Sequence, residues 1–200
     1  MISATDALER LRDGNRRFIS NEVSEKVLTI REHRAGAAPP QNPFAIILAC
    51  SDSRVPTELI FDQGIGDLFV IRVAGNIVAP SQIGSIEYAA KQFGTRLVVV
   101  LGHSNCGAII ATLRELALKE SHRSPNLRAI VDRIRPALDP VLEEYYDVED
   151  EVVVASCVRA NVQASVDGLQ HGSLILEQLI EAKELNIIGA EYSIETGYID

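Results

Sequence analysis

Short apolar runs separated by helical segments constrain the fold of this chain more than any other feature of its sequence. The runs are rich in Val, Ile and Leu, and they lack the polar alternation of a strand with one face in water. They are therefore predicted to be strands buried on both faces. Because helical segments connect them, we expect an α/β fold: a mostly parallel sheet of order 2-1-3-4, with right-handed crossovers and flanking helices. The four runs are Phe44–Cys50, Leu68–Val73, Arg96–Gly102 and Asn186–Ser193.

The segments between the runs carry helical patterns. The shorter ones predict helices over Thr57–Phe61, Ser81–Phe93 and Cys106–Lys119. The longest spans residues 127 to about 183, and it is expected to break at Pro136, Pro140 and Gly168–Gly172. The last three residues, Tyr198–Asp200, follow a Thr-Gly turn and are expected to form a short antiparallel edge strand.

The N-terminal part of the chain predicts a helical arm. Ser3–Asn21 has apolar residues near helical spacing, so it predicts an amphipathic helix whose apolar face needs a partner. Ser24–Arg34 predicts a second, more polar helix before a proline-rich loop. With no repeat or interdomain linker in the sequence, residues 1–200 are predicted to form a single domain in which residues 1–35 are the arm.

Charge and cysteine content narrow the classes of function. The 19 basic and 28 acidic residues give a net charge of −9, which disfavours attraction to nucleic acid or to anionic membranes. No basic segment leads into an apolar one at the start, and no apolar run approaches the roughly 20 residues that span a bilayer. We therefore expect a cytoplasmic protein with neither nucleic acid nor membrane as partner. In that compartment the three cysteines predict metal ligands, a nucleophile or core filler instead of disulfides.

Two short motifs that carry reactive side chains begin where two of the predicted strands end. Cys50-Ser-Asp-Ser-Arg54 follows the first strand, and His103-Ser-Asn-Cys106 follows the third. In a sheet of the expected order these carboxyl ends border one crevice, so both motifs should face it. Two thiolates and one imidazole form a three-ligand tetrahedral zinc site with one open position, as in catalytic zinc. Cys157 lies in an apolar helical run and is predicted to be a buried hydrophobe.

Other known cysteine chemistries match these motifs less completely than a zinc site does. A phosphatase-type Cys-x5-Arg loop is excluded, because the residue six places after Cys50 is Pro56. A zinc deaminase pattern is excluded as well, because no Glu follows His103 at the required spacing. A nucleophilic pair of Cys106 and His103 stays open, although it leaves Cys50 without a role. Structural zinc in an interaction module also stays open, as does a role for Asp52 in capping the short helix near residue 57.

The paired motif, Cys50–Arg54 with His103–Gly107, resembles that of the β-class carbonic anhydrases. The resemblance implies zinc-dependent, reversible hydration of carbon dioxide to bicarbonate and a proton by zinc-bound hydroxide. It implies that Asp52 hydrogen-bonds the zinc-bound water or hydroxide and that Arg54 holds Asp52. Carbonyl sulfide or carbon disulfide hydrolysis on the same scaffold is the alternative. The implied ligands of one Zn²⁺ per chain are Cys50, His103 and Cys106.

The resemblance also implies a pocket shared between subunits. In the family the pocket lies at a dimer interface, and the N-terminal helices pack on the partner, so a homodimer or a tetramer of paired dimers is expected. Without the resemblance, the sequence favours a role in the core for Phe69 and Tyr88 as much as a role in the pocket, and it predicts that Gln41 is a solvated loop residue. The implied pocket residues are Gln41, Phe69, Tyr88 and Gly107.

The resemblance also raises the question of whether Asp52 stays bound to Arg54 or moves onto zinc. Some members of the family have a closed form in which this Asp moves onto zinc, helped by a Trp three residues before the first Cys and an Arg on the second strand. Ile47 occupies the Trp position here and cannot donate a hydrogen bond, whereas Arg72 matches the Arg. We therefore expect Asp52 to stay paired with Arg54. Arg72 itself lies on a predicted buried strand and must find a partner.

Overall fold

The computed structural model describes residues 2–22, 24, 41–117, 124–144 and 150–200. Its centre is a parallel sheet of four strands in the order β2-β1-β3-β4, which confirms the predicted order and direction. All five residues of β1 and all seven of β3 are buried, as predicted for apolar runs without polar alternation. The prediction of burial on both faces is wrong for β2 and β4, which are only partly buried because they are the edge strands of the sheet. The strands are β1 (Ala45–Ala49), β2 (Leu68–Arg72), β3 (Leu97–His103) and β4 (Asn186–Tyr192).

Seven α-helices are described, and they correspond to the predicted segments. The second predicted N-terminal helix, Ser24–Arg34, lies outside the described residues except for Ser24. Among the described helices, none combines the length and apolar composition needed to cross a bilayer. The helices are α1 (Ala4–Ile19), α2 (Thr57–Ile60), α3 (Pro80–Gln92), α4 (Gly107–Ala117), α5 (Pro125–Glu144), α6 (Glu151–His171) and α7 (Leu174–Glu181).

The prediction that Pro136 and Pro140 break the long helical tract is wrong, because α5 runs through both. The two prolines are four residues apart and exposed, so they share the solvent face of the helix. Water can satisfy the carbonyl groups that lose their N–H partners there, while Ile134 and Leu138 on the opposite face stay fully buried. The break predicted at Gly168–Gly172 occurs at the end of that range, because α6 ends at His171. Ser173 then caps α7 by accepting a hydrogen bond from the N–H of Leu176.

The described helices cover the sheet differently on its two faces. Residues of α3, α6 and α7 pack on one face, against apolar side chains of all four strands. On the other face α1 and α2 supply the covering residues, which include Ala7, Leu11 and Ile60. A third apolar cluster lies beyond the carboxyl ends of the strands and combines α4, α5 and α6 with the three cysteines. The crevice predicted to hold the chemistry is therefore walled by helices.

Helix α1 is anchored to its own chain by polar as well as apolar contacts. The buried Asn15 donates through Nδ2 to the carbonyl oxygens of Ile60, at 3.2 Å, and Gly197, at 2.8 Å. Arg17 Nε lies 2.6 Å from the Asp62 carboxylate. These contacts cover part of the amphipathic face that the sequence predicts, and packing of the arm on a partner subunit stays a prediction.

The C-terminal residues return to the sheet as predicted, although only as one antiparallel bridge between Tyr192 and Ile199. The N–H of Glu191 donates to the carbonyl of Asp200 at 2.9 Å, and the N–H of Asp200 donates back at 3.1 Å. The chain end is thereby attached to the end of β4, next to the strand that carries His103.

Two glycines let α6 approach the sheet closely. A Cβ added at Gly102 would overlap Cγ2 of Val162, and one added at Gly189 would lie 2.7 Å from its Cγ1. Because contacts this short do not occur, any larger residue on β3 at this point would push α6 away. Gly102 immediately precedes His103, so the close approach also sets where that imidazole lies.

We predict that Gly102→Ala lowers the free energy of unfolding by about 1–3 kcal/mol, because the new methyl overpacks against Val162. Gly84→Ala is the matched control: a Cβ there meets nothing within 4 Å, and alanine in a helix interior should raise stability by about 0.5–1 kcal/mol. Urea unfolding measures both. The double variant Gly102→Ala/Val162→Ala should lose less unfolding free energy than the two single variants lose in sum, because the smaller residue makes room for the new methyl. Strict additivity of the two losses would contradict the assigned contact.

Candidate metal centre

Three buried side chains meet at the carboxyl end of the sheet. Cys50 follows β1, His103 ends β3, and Cys106 immediately precedes α4. Since Ala49 pairs with Leu101 in parallel register, the two strand ends lie side by side. One ligand atom of each residue lies within 4.8 Å of the others, and the two Sγ atoms are 4.0 Å apart. Within the part of the chain that the structure describes, this is the only group of three such side chains that close together.

The donor set fits a zinc ion. Tetrahedral zinc with two sulfur ligands places the sulfurs about 3.8 Å apart, close to the 4.0 Å separation of Cys50 and Cys106. The Nδ1–H of His103 donates to the carbonyl oxygen of Ser104 at 3.0 Å, which leaves the lone pair of Nε2 free. Nε2 is buried and has no hydrogen-bond partner. A buried nitrogen without a partner is costly unless it coordinates something.

The loop that carries His103 is held by the neighbouring strand. The N–H of Ser104 donates to the carbonyl of Tyr192 at 2.9 Å, and its Oγ accepts from the N–H of Ile194 at 3.0 Å. The carbonyl that orients the imidazole therefore belongs to a residue whose amide and hydroxyl are both bonded. This fixes the direction in which Nε2 points.

The two cysteines influence each other's charge. A hydrogen bond from Cys106 is the main cause that lowers the pKa of Cys50 far below that of a free thiol. The same contact, with burial, raises the pKa of Cys106. Without a metal the pair therefore holds a single proton, and a dication that replaces this proton neutralises two thiolates.

Asp52 is bound by Arg54 in the way that the sequence predicts. The guanidinium donates twice, from Nε to Oδ1 at 2.9 Å and from Nη2 to Oδ2 at 2.7 Å, and the backbone N–H of Arg54 adds a bond of 3.0 Å to Oδ1. These donors, the side chain above all, hold the pKa of Asp52 well below its usual range. Asp52 Oδ2 lies 3.9 Å from His103 Nε2, so the carboxylate borders the three ligand atoms.

The alternative role of Asp52 as a helix cap is not what the structure shows. The N-cap of α2 is Pro56, and no described side chain caps the helix. Asp52 lies in the turn before it and uses its oxygens on Arg54 instead. Asp52 therefore binds Arg54 and does not cap α2.

Arg72 has polar partners, although it is exposed and not buried as its predicted strand implied. Its side chain at the end of β2 donates from Nε to the carbonyl oxygen of Cys50 at 3.1 Å and from Nη2 to that of Asp52 at 2.6 Å. Arg72 pairs in register with Ala49, the residue before Cys50. One guanidinium thus holds the backbone on both sides of Ser51 and fixes the turn that presents Cys50 and Asp52.

A cavity of about 280 Å³ opens beside Cys50. Its lining includes Asp52 and Gly107 as well as two apolar residues of α5, Leu127 and Ile130. Nothing in the sequence marks the two α5 residues as functional, because apolar helix positions also occur throughout any core. Only the packing of α5 across the strand ends brings them to the cavity.

The other predicted pocket residues lie elsewhere in this chain. The described residues that line the cavity include Gly107 but not Gln41, Phe69 or Tyr88. Phe69 is near the amino end of β2, where it pairs with Ile46, and its ring centroid is 6.2 Å from that of the half-exposed Tyr88. Gln41 is exposed and precedes β1. Cys157 lies fully buried in α6, as predicted for a core residue.

Comparison with known proteins agrees with this geometry. The model of the carbonic anhydrase family matches residues 45–199. Carbonic anhydrase 2 of Mycobacterium tuberculosis is 34% identical over 194 residues, which cover 96% of this chain and 89% of that protein. The carbonic anhydrase of Mycolicibacterium smegmatis is 36% identical over 194 residues, which cover 97% and 91%.

The fold agrees as well. In a crystallographic study of two tetrameric β-carbonic anhydrases from Sordaria macrospora, one chain matches with a TM-score of 0.73 and 26% identity, over 85% of this chain and 84% of that one. The family match includes all four strands and both motifs. The chain therefore belongs to the β class of the carbonic anhydrases.

Proposed function

We propose that this protein interconverts carbon dioxide and bicarbonate at a zinc ion bound by Cys50, His103 and Cys106. The observation that carries the proposal is the convergence of these three ligand atoms next to a carboxylate that an arginine holds ionised. Zinc bound there would supply a Lewis acid that lowers the pKa of water and makes hydroxide available for attack on carbon dioxide.

Asp52 is proposed to orient the attacking group. Arg54 donates to both carboxylate oxygens, which keeps Asp52 charged and limits the directions in which it can accept a further hydrogen bond. Oδ2 lies on the side of His103 Nε2, so its remaining lone pair can accept a hydrogen bond from a group held at the three ligands. Arg72 prevents the turn from shifting, because it binds the carbonyls of Cys50 and Asp52.

The cavity suits carbon dioxide. Carbon dioxide is small and has no net charge, so an apolar wall such as that of Leu127 and Ile130 can hold it without the loss of strong hydrogen bonds to water. Asp52 also lines the cavity and provides the polar acceptor. The substrate would therefore lie next to apolar side chains that exclude water and to the groups that activate it.

We propose a homodimer, or a tetramer built from two such dimers, as the active form. Gln41, Phe69 and Tyr88 do not line the cavity of their own chain, so we propose that they contribute to a pocket when a second copy brings them there. Residues 1–200 would act as one domain, with residues 1–35 as its arm. The three free cysteines suit the reducing cytoplasm, which is the location we propose.

We predict one zinc per chain in the freshly purified protein. Cys50→Ala, His103→Ala and Cys106→Ala should each lower zinc content together with carbon dioxide hydration, because each removes one of three ligands. Cys157→Ala is the matched control and should retain both, since Cys157 is a buried core residue that does not belong to the group of three potential ligands. Metal analysis with a hydration assay tests this, and full zinc occupancy in Cys50→Ala would contradict the ligand set. Parallel assays with carbonyl sulfide and carbon disulfide rank the substrates.

We predict that Arg54→Ala lowers carbon dioxide hydration by roughly 10- to 100-fold while zinc content stays at the wild-type level, because Asp52 loses its orientation. Arg54→Lys should recover only part of the loss, since an ammonium cannot bind both carboxylate oxygens in the same fork. Arg96→Ala is the control, because it removes a partly exposed arginine that pairs with Glu184 far from the site. Equal losses in Arg54→Ala and Arg96→Ala would show that the effect is not local.

We predict that light scattering gives a mass of two or four chains and that the pocket is completed across subunits. Tyr88→Ala and His103→Ala subunits should each be weakly active alone. Mixed dimers should regain activity, because one site then combines intact zinc ligands with the partner's intact Tyr88. A fully active monomer, or mixtures no more active than their components, would contradict the shared pocket.

A further inference from the structure

We propose that Asn161, on helix α6, is a positioning residue for the Cys50 thiolate. It does not touch the sulfur and acts through the backbone of Gly75. The inference rests on the proposed function to the extent that Cys50 is taken to bind zinc. It assigns a role in the metal centre to a side chain 86 residues away from Gly75 in sequence.

The contact to sulfur comes from a short 3-10 turn, Ala74–Asn76, that follows β2. The backbone N–H of Gly75 donates to Sγ of Cys50 at 3.3 Å. A hydrogen bond to a thiolate disperses part of its charge and restricts the directions of its lone pairs, so it influences how the sulfur binds a cation. The N–H points at the sulfur only while the turn keeps its conformation.

The turn is left-handed at two successive residues. Gly75 has φ 68° and ψ 21°, and the next residue, Asn76, has φ 43°. Glycine adopts this region freely and asparagine tolerates it better than most residues, so the sequence permits the turn and contacts with its surroundings keep it in place. Gly75 also has no space for a side chain: a Cβ there would lie 2.7 Å from Cδ1 of Ile134 and 3.1 Å from Cβ of Ala108.

Helix α6 supplies the support with two buried side chains. Asn161 donates from Nδ2 to the carbonyl oxygen of Gly75 at 2.8 Å. One turn later, Ser165 donates from Oγ to the carbonyl oxygen of Asn76 at 3.1 Å. Both carbonyls of the left-handed pair are therefore bound by one rigid helix. Loss of the Asn161 amide would leave a buried carbonyl without this partner, and the turn would relax away from Cys50.

Two measurements on the whole protein test the role without reference to catalysis. Zinc affinity is measured by competition with a chelator, and the sulfur-to-metal charge-transfer bands are recorded in the near ultraviolet after substitution with Co²⁺. Asn161→Ala should bind zinc roughly 10- to 100-fold more weakly. Its bands should move to lower energy, because a thiolate that loses a hydrogen bond gives up electron density more readily. Ser165→Ala should shift both readouts in the same direction by less.

Asn15→Ala is the matched control. Asn15 is also a buried asparagine on a helix, and it also donates to backbone carbonyls, but its partners are Ile60 and Gly197. The Asn15→Ala substitution should lower the stability of the protein and leave zinc affinity and band energies at their wild-type values. The comparison separates a general loss of stability from a change at the sulfur.

The inference is overturned if folded Asn161→Ala keeps the zinc affinity and band energies of the wild type, or if Asn15→Ala shifts them equally. If Asn161→Ala does not fold, Ser165→Ala decides in the same way. Carbon dioxide hydration by the wild type is measured separately. A wild type that binds zinc and Co²⁺ but does not hydrate carbon dioxide overturns the proposed function alone, and one that binds neither metal overturns both.

Discussion

The parallel pairing of β1 with β3 is the constraint on which the rest of the structure depends. In this register Ala49 lies beside Leu101, so the residues that follow the two strands emerge at the same edge of the sheet. Cys50 and His103, which are distant in sequence, meet there, and Cys106 reaches the same point from the start of α4. If the sheet had a different strand order, the same motifs would not meet, whatever their chemistry.

The charges and polar atoms around the two cysteines are bound by neighbouring groups. Arg54 neutralises the half-buried Asp52, Arg72 binds the carbonyls of Cys50 and Asp52, and backbone groups just after β2 and β3 hold Cys50 and His103. Of the three side chains that meet here, His103 has one nitrogen, Nε2, that is buried without a partner. A buried lone pair without a hydrogen-bond partner, among groups that are otherwise bonded, favours binding of a cation.

Two groups of side chains lie at opposite ends of the sheet. Cys50, His103 and Cys106 lie at the carboxyl end, next to the apolar residues of α5, whereas Phe69 and Tyr88 form an aromatic cluster with Phe93 near the amino end of β2. This separation explains why one chain places only Gly107 of the four predicted pocket residues at its own cavity. Assembly would bring the two ends together, so oligomerisation and catalysis would be linked.

Local sequence patterns are enough to predict the four strands, their order and the two reactive motifs. The two central strands are buried on both faces and must be continuously apolar, and Asp52 and Arg54 are two residues apart, so both features are visible in the sequence. Packing between distant elements decided the rest. The prolines of α5 are tolerated because their face of the helix meets water. Leu127 and Ile130 line the cavity because α5 crosses the strand ends, and Asn161 binds the turn that contacts Cys50 because α6 packs beside it; no local pattern distinguishes these three residues from ordinary residues of a helix.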